Sequence, residues 1–110
     1  MSKTINFEYK GINYTLEYNR DVIKLLEKNG FDINEFLSKP MLSISMAFEG
    51  AFYMHHRKTN TALIHEIYDN MGDKEQLAKA LYEMLNETYS ELFDEDEDED
   101  STKKIQWKSV

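Results

Sequence analysis

The chain has 110 residues, a formal net charge of −8, 41% hydrophobic content and no cysteine. That length holds one domain rather than two, and the lack of cysteine excludes a disulfide framework, a thiol nucleophile and a zinc–thiolate site. Seven consecutive carboxylates, Asp94 to Asp100, account for nearly all the net charge, so the sequence divides into a near-neutral domain over 1–93 and an acidic linker with a C-terminal peptide over 94–110.

The first element reads as a β-hairpin. Ile5, Phe7 and Tyr9 alternate with polar residues, as do Ile12, Tyr14, Leu16 and Tyr18. Period-two alternation marks a strand with one buried face, and Lys10-Gly11 between the runs suits a tight turn. A lone hairpin is marginal in water, so this face must pack on helices or on another sheet.

Asn19 caps a helix whose Val22, Leu25 and Leu26, with Ile23, form one apolar face, and Asn29-Gly30 stops it. Asp32 to Glu35 has capping-box spacing and opens a short helical turn holding Ile33, Phe36 and Leu37. Pro40 ends that turn and begins the next helix at its first position.

Residues 41–58 are expected to form the most apolar helix. Ile44, Phe48, Ala51, Phe52 and His55 make one stripe, while Leu42, Met46 and Tyr53 extend the apolar surface to another side. A helix apolar on two sides is central to a fold or part of an interface. Gly50 in its middle costs about 1 kcal/mol against alanine; close packing of a neighbour explains it, with a hinge as the alternative. Met41, Met46, Met54, Met71 and Met84 are taken together, because methionine fills cores and also serves surfaces that hold varied apolar partners.

Thr59-Asn60-Thr61 breaks the pattern and supplies caps for a short helix carrying Leu63 or Ile64, Ile67, Tyr68 and Met71, ended by Gly72. Asp73 to Gln76 is a second capping box. The last helix should run from about 74 to 93, burying Leu77, Leu81, Met84, Leu85, Thr88 and Leu92, with Tyr82 and Tyr89 beside them. Carboxylates at a helix C-terminus oppose its dipole, so the acidic run is expected to fray the helix and form an extended, disordered linker. Beyond it, Ile105 and the sole tryptophan, Trp107, fall on one side of an extended strand among Lys103, Lys104 and Lys108.

The fold expected is α+β: an N-terminal β-hairpin packed on a mainly helical bundle of about four helices, with a disordered acidic tail. No catalytic residues, cofactor site or metal site emerge. His55 and His56 are adjacent and point about 100° apart on a helix, and His65 with Asp69 supplies only two potential metal ligands. No phosphate-cradling glycine loop is present, and calcium loops need glycine turns that the acidic run lacks. No apolar run approaches the ~20 residues of a membrane span, and Met1 to Asn6 lacks a signal-peptide core. The expectation is a cytoplasmic protein with no membrane or nucleic-acid partner, the acidic balance leaving little to neutralise phosphates.

Four segments then carry a resemblance. They are Phe7-Glu8-Tyr9-Lys10-Gly11-Ile12-Asn13-Tyr14-Thr15-Leu16-Glu17-Tyr18, Ile23-Lys24-Leu25-Leu26-Glu27-Lys28-Asn29-Gly30, Phe48-Glu49-Gly50-Ala51-Phe52, and Leu81-Tyr82-Glu83-Met84-Leu85-Asn86-Glu87-Thr88-Tyr89. With the acidic tail and tryptophan peptide, their order resembles the small tail assembly chaperones of long-tailed phages and prophages of Gram-positive bacteria. The resemblance implies a non-enzymatic protein of the host bacterial cytoplasm. It would bind the apolar, helical tape measure protein and keep it soluble until tail tube protein subunits displace it.

The contact residues expected are Phe48, Phe52, Tyr53, Met54, Tyr82 and Tyr89, in a groove between helix 41–58 and the face of 74–93. Ile105 and Trp107 are expected to add as a strand to a neighbouring subunit's sheet edge, giving self-association. Two alternatives stand beside this reading: an acidic nucleic-acid mimic that inhibits a DNA-binding protein, and a metal-dependent enzyme using His55 or His65.

Overall fold

Two positive backbone φ angles in succession start the fold. Lys10 (51°) and Gly11 (81°) make the two-residue turn that joins β1 (Ile5–Tyr9) to β2 (Ile12–Leu16). Such left-handed turns match the twist of the strands they connect. The strands pair antiparallel in the register Tyr9↔Ile12, Phe7↔Tyr14 and Ile5↔Leu16. The computed structural model describes residues 3–94.

Four helices and one 3-10 turn follow: α1 (Arg20–Lys28), the turn Ile33–Glu35, α2 (Pro40–Ala51), α3 (Thr61–Asn70) and α4 (Lys74–Asp94). The fold is thus α+β, a two-stranded hairpin on four helices. The capping residues act as expected. Asn19, Asp32, Asn60 and Asp73 accept the backbone N–H of Val22, Asn34, Leu63 and Gln76, at 2.9, 2.9, 2.8 and 3.2 Å. Each satisfies one of the donors that a helix start leaves without an internal partner.

The core is one cluster. Tyr14, Leu16 and Tyr18 from the hairpin side meet Val22, Ile23 and Leu26 of α1, Ala47, Phe48 and Ala51 of α2, Ile64 and Ile67 of α3, and Leu81 and Leu85 of α4. Gly50 lets α1 and α2 approach closely: a Cβ there would lie 2.8 Å from Leu26 Cδ2. Close packing, not a hinge, is what this glycine serves.

Three expectations need correction. The helix expected over 41–58 ends at Ala51. In a continuing helix Ala51 O would accept from residue 55; instead it takes the Glu17 N–H at 3.1 Å, and residues 52–58 form turns. A bond from the residue just after β2 takes the carbonyl that helix propagation would need. Leu37 does not pack with Ile33 and Phe36 but is 81% exposed, and Ile12, at the hairpin tip, is also exposed. The carboxylate run beyond Asp94, the tail expected to be disordered, Ile105 and Trp107 lie outside the described residues.

Candidate functional site

The start of α2 builds an open apolar surface. Phe36 turns into the core and its ring lies 5.1 Å from that of Tyr82 on α4, tilted by 47°. The Lys39 N–H bonds Glu35 O at 2.7 Å, and Pro40 then launches α2 with no side-chain cap. Ser43, buried one turn on, also reaches back to Glu35 O at 3.3 Å. These bonds hold the turn and helix as one bent unit beside α4.

Between that unit and α4 runs a groove of about 220 Å³, lined by Phe36, Leu37, Pro40, Ile44, Ala78 and Tyr82, with Glu75 and Lys79 at its edge. Its lining is almost wholly apolar. Leu37 in that lining is 81% exposed; Met41, 88% exposed, and Leu42, 61% exposed, are further open apolar side chains on the first turn of α2, outside the lining. Single exposed hydrophobics are ordinary, but a contiguous group marks a contact surface. The volume falls below the ~300–1,000 Å³ typical of small-molecule sites. The groove suits apolar side chains projecting from another polypeptide.

The residues expected as contacts scatter over the molecule. Phe48 and Phe52 are each 1% exposed and stack edge-on at 5.2 Å in the core, so they offer no area to a partner in this conformation. Burial, not interface, explains the apolar character of that part of α2. Tyr53 is half-buried under the Arg57 guanidinium, 4.6 Å from its ring centre, and Met54 is exposed in the following turn. Tyr89 is half-buried and donates its hydroxyl to Glu27 of α1 at 2.7 Å; burial and that carboxylate raise its pKa. Only Tyr82 lines the apolar groove.

Phe36, Leu37, Pro40, Ile44 and Ala78 were not anticipated as a group. A signal did exist: Leu37 and Met41 are four apart, and Leu42 lies off the main stripe of α2. Of the methionines, Met41 and Met54 are exposed, Met46 and Met71 half-buried and Met84 buried.

A second concavity of about 380 Å³ lies among α1, α2 and the turn after it, with Gly50, Tyr53, His56 and Arg57 in its wall. His56 is not a free base there, because its Nε2 accepts the Thr15 N–H at 2.9 Å. Burial, and the nearby His55, lower its pKa and keep the ring neutral. His55 lies 2.7 Å from Glu17 Oε1, and His65 lies 2.9 Å from Glu49 Oε2. Among the described residues no three His, Asp or Glu side chains group as a metal site would need, and no helix is long and apolar enough to cross a membrane.

Residues 1–110 match the model of a family described as "Domain of unknown function (DUF5055)". Comparison with curated proteins and with solved structures returns no match.

Proposed function

The chain belongs to the DUF5055 family, and we propose that it is a non-enzymatic tail assembly chaperone of a long-tailed phage or prophage, acting in the host bacterial cytoplasm. Its client is the tape measure protein, and tail tube subunits displace it as the tail assembles. The groove between α2 and α4 carries this reading: its lining is almost wholly apolar and includes the exposed Leu37. The resemblance of the four hydrophobic segments supplies the client.

The mechanism is helix-in-groove capture. A client helix lays one apolar stripe across the groove, with side chains three and four residues apart entering beside Tyr82 and Ile44. Burying that stripe removes apolar area from water at ~25 cal/mol per Å². Much of the gain goes to immobilising the partners, which keeps binding reversible and allows displacement. Lys79 and Glu75 at the edge hold charges of both signs in water, so the groove selects for apolar pattern more than for charge.

The test is co-expression with a tape measure fragment. The wild-type chain should raise the soluble fraction of the fragment, and the double substitution Leu37→Asp/Met41→Asp should abolish the effect while the variant stays folded. An insoluble fragment with wild type, or equal rescue by the double variant, removes the proposal.

A further inference from the structure

The second concavity, about 380 Å³ in volume, falls within the ~300–1,000 Å³ of small-molecule sites. It shares no lining residue with the groove between α2 and α4. Its lining has two parts. Buried Leu26 and Ile64, with half-buried Leu25 and Met46, supply an apolar part, and His56 and Arg57 supply a polar one. The polar part stands on the turn after α2, whose course is fixed by backbone bonds. Tyr53 N–H donates to Gly50 O at 3.0 Å, His56 N–H to Phe52 O at 2.7 Å and Thr59 N–H to His56 O at 3.0 Å.

Two donor groups on this turn find no acceptor among the described residues. His56 Nε2 accepts the Thr15 N–H, so the neutral ring carries its own proton on Nδ1. No described residue accepts that Nδ1–H, and it is not sealed from solvent. The Arg57 guanidinium lies over the Tyr53 ring, 4.6 Å from its centre. That contact steadies the head through its charge and leaves its N–H donors unused. The chain has 21 carboxylates against 13 lysines and arginines, yet no described carboxylate pairs with Arg57. Glu49 also lines the concavity, but its Oε2 is engaged by His65 of α3 at 2.9 Å.

We propose that this concavity binds a small organic anion, its carboxylate or phosphate head on Arg57 and His56 and its apolar body against Leu25, Met46 and Ile64. The guanidinium presents a planar fork of donors that matches two oxygens of either head, and the His56 Nδ1–H adds a donor from the neighbouring residue. Neither group offers an acceptor in this state, so the head they take is one that only accepts. The apolar part of the lining selects against a bare inorganic ion, whose hydration shell would leave Leu25, Met46 and Ile64 facing water. The proposal does not rest on the chaperone reading, since the groove and this concavity are different surfaces.

The probes are phenylacetate and phenyl phosphate, titrated into the intact chain and followed by its amide NMR spectrum. Saturable shifts should appear at Gly50, His56, Arg57 and Ile64, with none at Ile44 or Tyr82 in the groove. Tighter phenylacetate assigns a carboxylate head and tighter phenyl phosphate a phosphate head; either supports the site. Neutral phenylacetamide should bind about tenfold more weakly or worse, the scale of losing a charge-assisted hydrogen bond. Acetate and inorganic phosphate, which lack the apolar body, should also bind more weakly. Arg57 is exposed, so Arg57→Gln and Arg57→Lys should leave the rest of the spectrum in place. The first should weaken binding about tenfold, and the second less, because a point charge replaces the fork. Absence of saturation by millimolar probe, equal binding of phenylacetamide, inorganic phosphate as tight as phenyl phosphate, or unchanged affinity in Arg57→Gln overturns the proposal.

Discussion

Helix α2 has two ends with opposite fates. Toward its C-terminus, Ala47, Phe48 and Ala51, with Phe52 just beyond, are enclosed on all sides, and aromatic neighbours Phe7, Tyr14, Tyr68 and His56 complete the enclosure. Toward its N-terminus, Met41 and Leu42 face outward, and Ile44 borders an open groove. Both ends are equally apolar in composition. The difference is what lies across from each: the hairpin, α1 and α3 at one end, the 3-10 turn and α4 at the other. Apolar character therefore says that a surface must be covered, and neighbours decide whether the chain covers it itself.

The largest test of the comparison is at the closed end. Phe48→Ala or Phe52→Ala should cost ~3–5 kcal/mol of unfolding free energy, the range for large core aromatics. Urea titration followed by far-ultraviolet circular dichroism reads this, and a loss below ~1 kcal/mol would deny that this end is the core.

Gly50→Ala comes next. The added Cβ would press on Leu26 at 2.8 Å, an overpacking cost of ~1–3 kcal/mol, offset by the ~1 kcal/mol that alanine contributes to a helix. A net loss of about 1 kcal/mol is expected. Combined with Leu26→Ala, the two changes should cost less than their sum, because the second relieves the first.

A smaller effect comes from His56. Its folded pKa lies below the unfolded value of ~6.5, through burial and the neighbouring His55. Between the folded and unfolded values the unfolded chain binds more protons, so stability rises with pH. The contribution is complete above ~6.5 and drains away as pH falls through the folded pKa. His56→Gln retains an acceptor for the Thr15 N–H and should flatten this part of the stability–pH curve. An unchanged slope would place the proton uptake elsewhere.

The smallest effect on stability belongs to the open end. Leu37→Asp and Met41→Asp should each change the unfolding free energy by no more than ~0.5 kcal/mol, as exposed sites do. Urea midpoints measured beside Phe48→Ala check it. A large loss at Leu37 would mean that the surface packs within this chain and is not held open for another.

Local signals were readable because they depend on neighbours in sequence. Asn19, Asp32, Asn60 and Asp73 cap where their spacing places them, and Lys10-Gly11 turns where the alternation breaks. Those bonds close within three residues, so no distant part of the fold has a vote. The groove was legible only as a general idea, an apolar surface shared by the second and fourth main helices. Tyr82 was the one named member, because Phe36, Leu37, Pro40, Ile44 and Ala78 come from three elements whose juxtaposition depends on how α2 leans on α4.

The amino-acid pattern by itself determined the hairpin, the helix order, the caps and the α+β class, since each follows from periodicity and short-range bonding. Only the tertiary structure decided that Phe48 and Phe52 are core, that the helix stops at Ala51, and that Leu37, Met41 and Leu42 stay uncovered. Periodicity states which residues prefer to leave water. Which of them succeed depends on what area the rest of the chain can bring to them, and here the chain covers one end of α2 and leaves the other open.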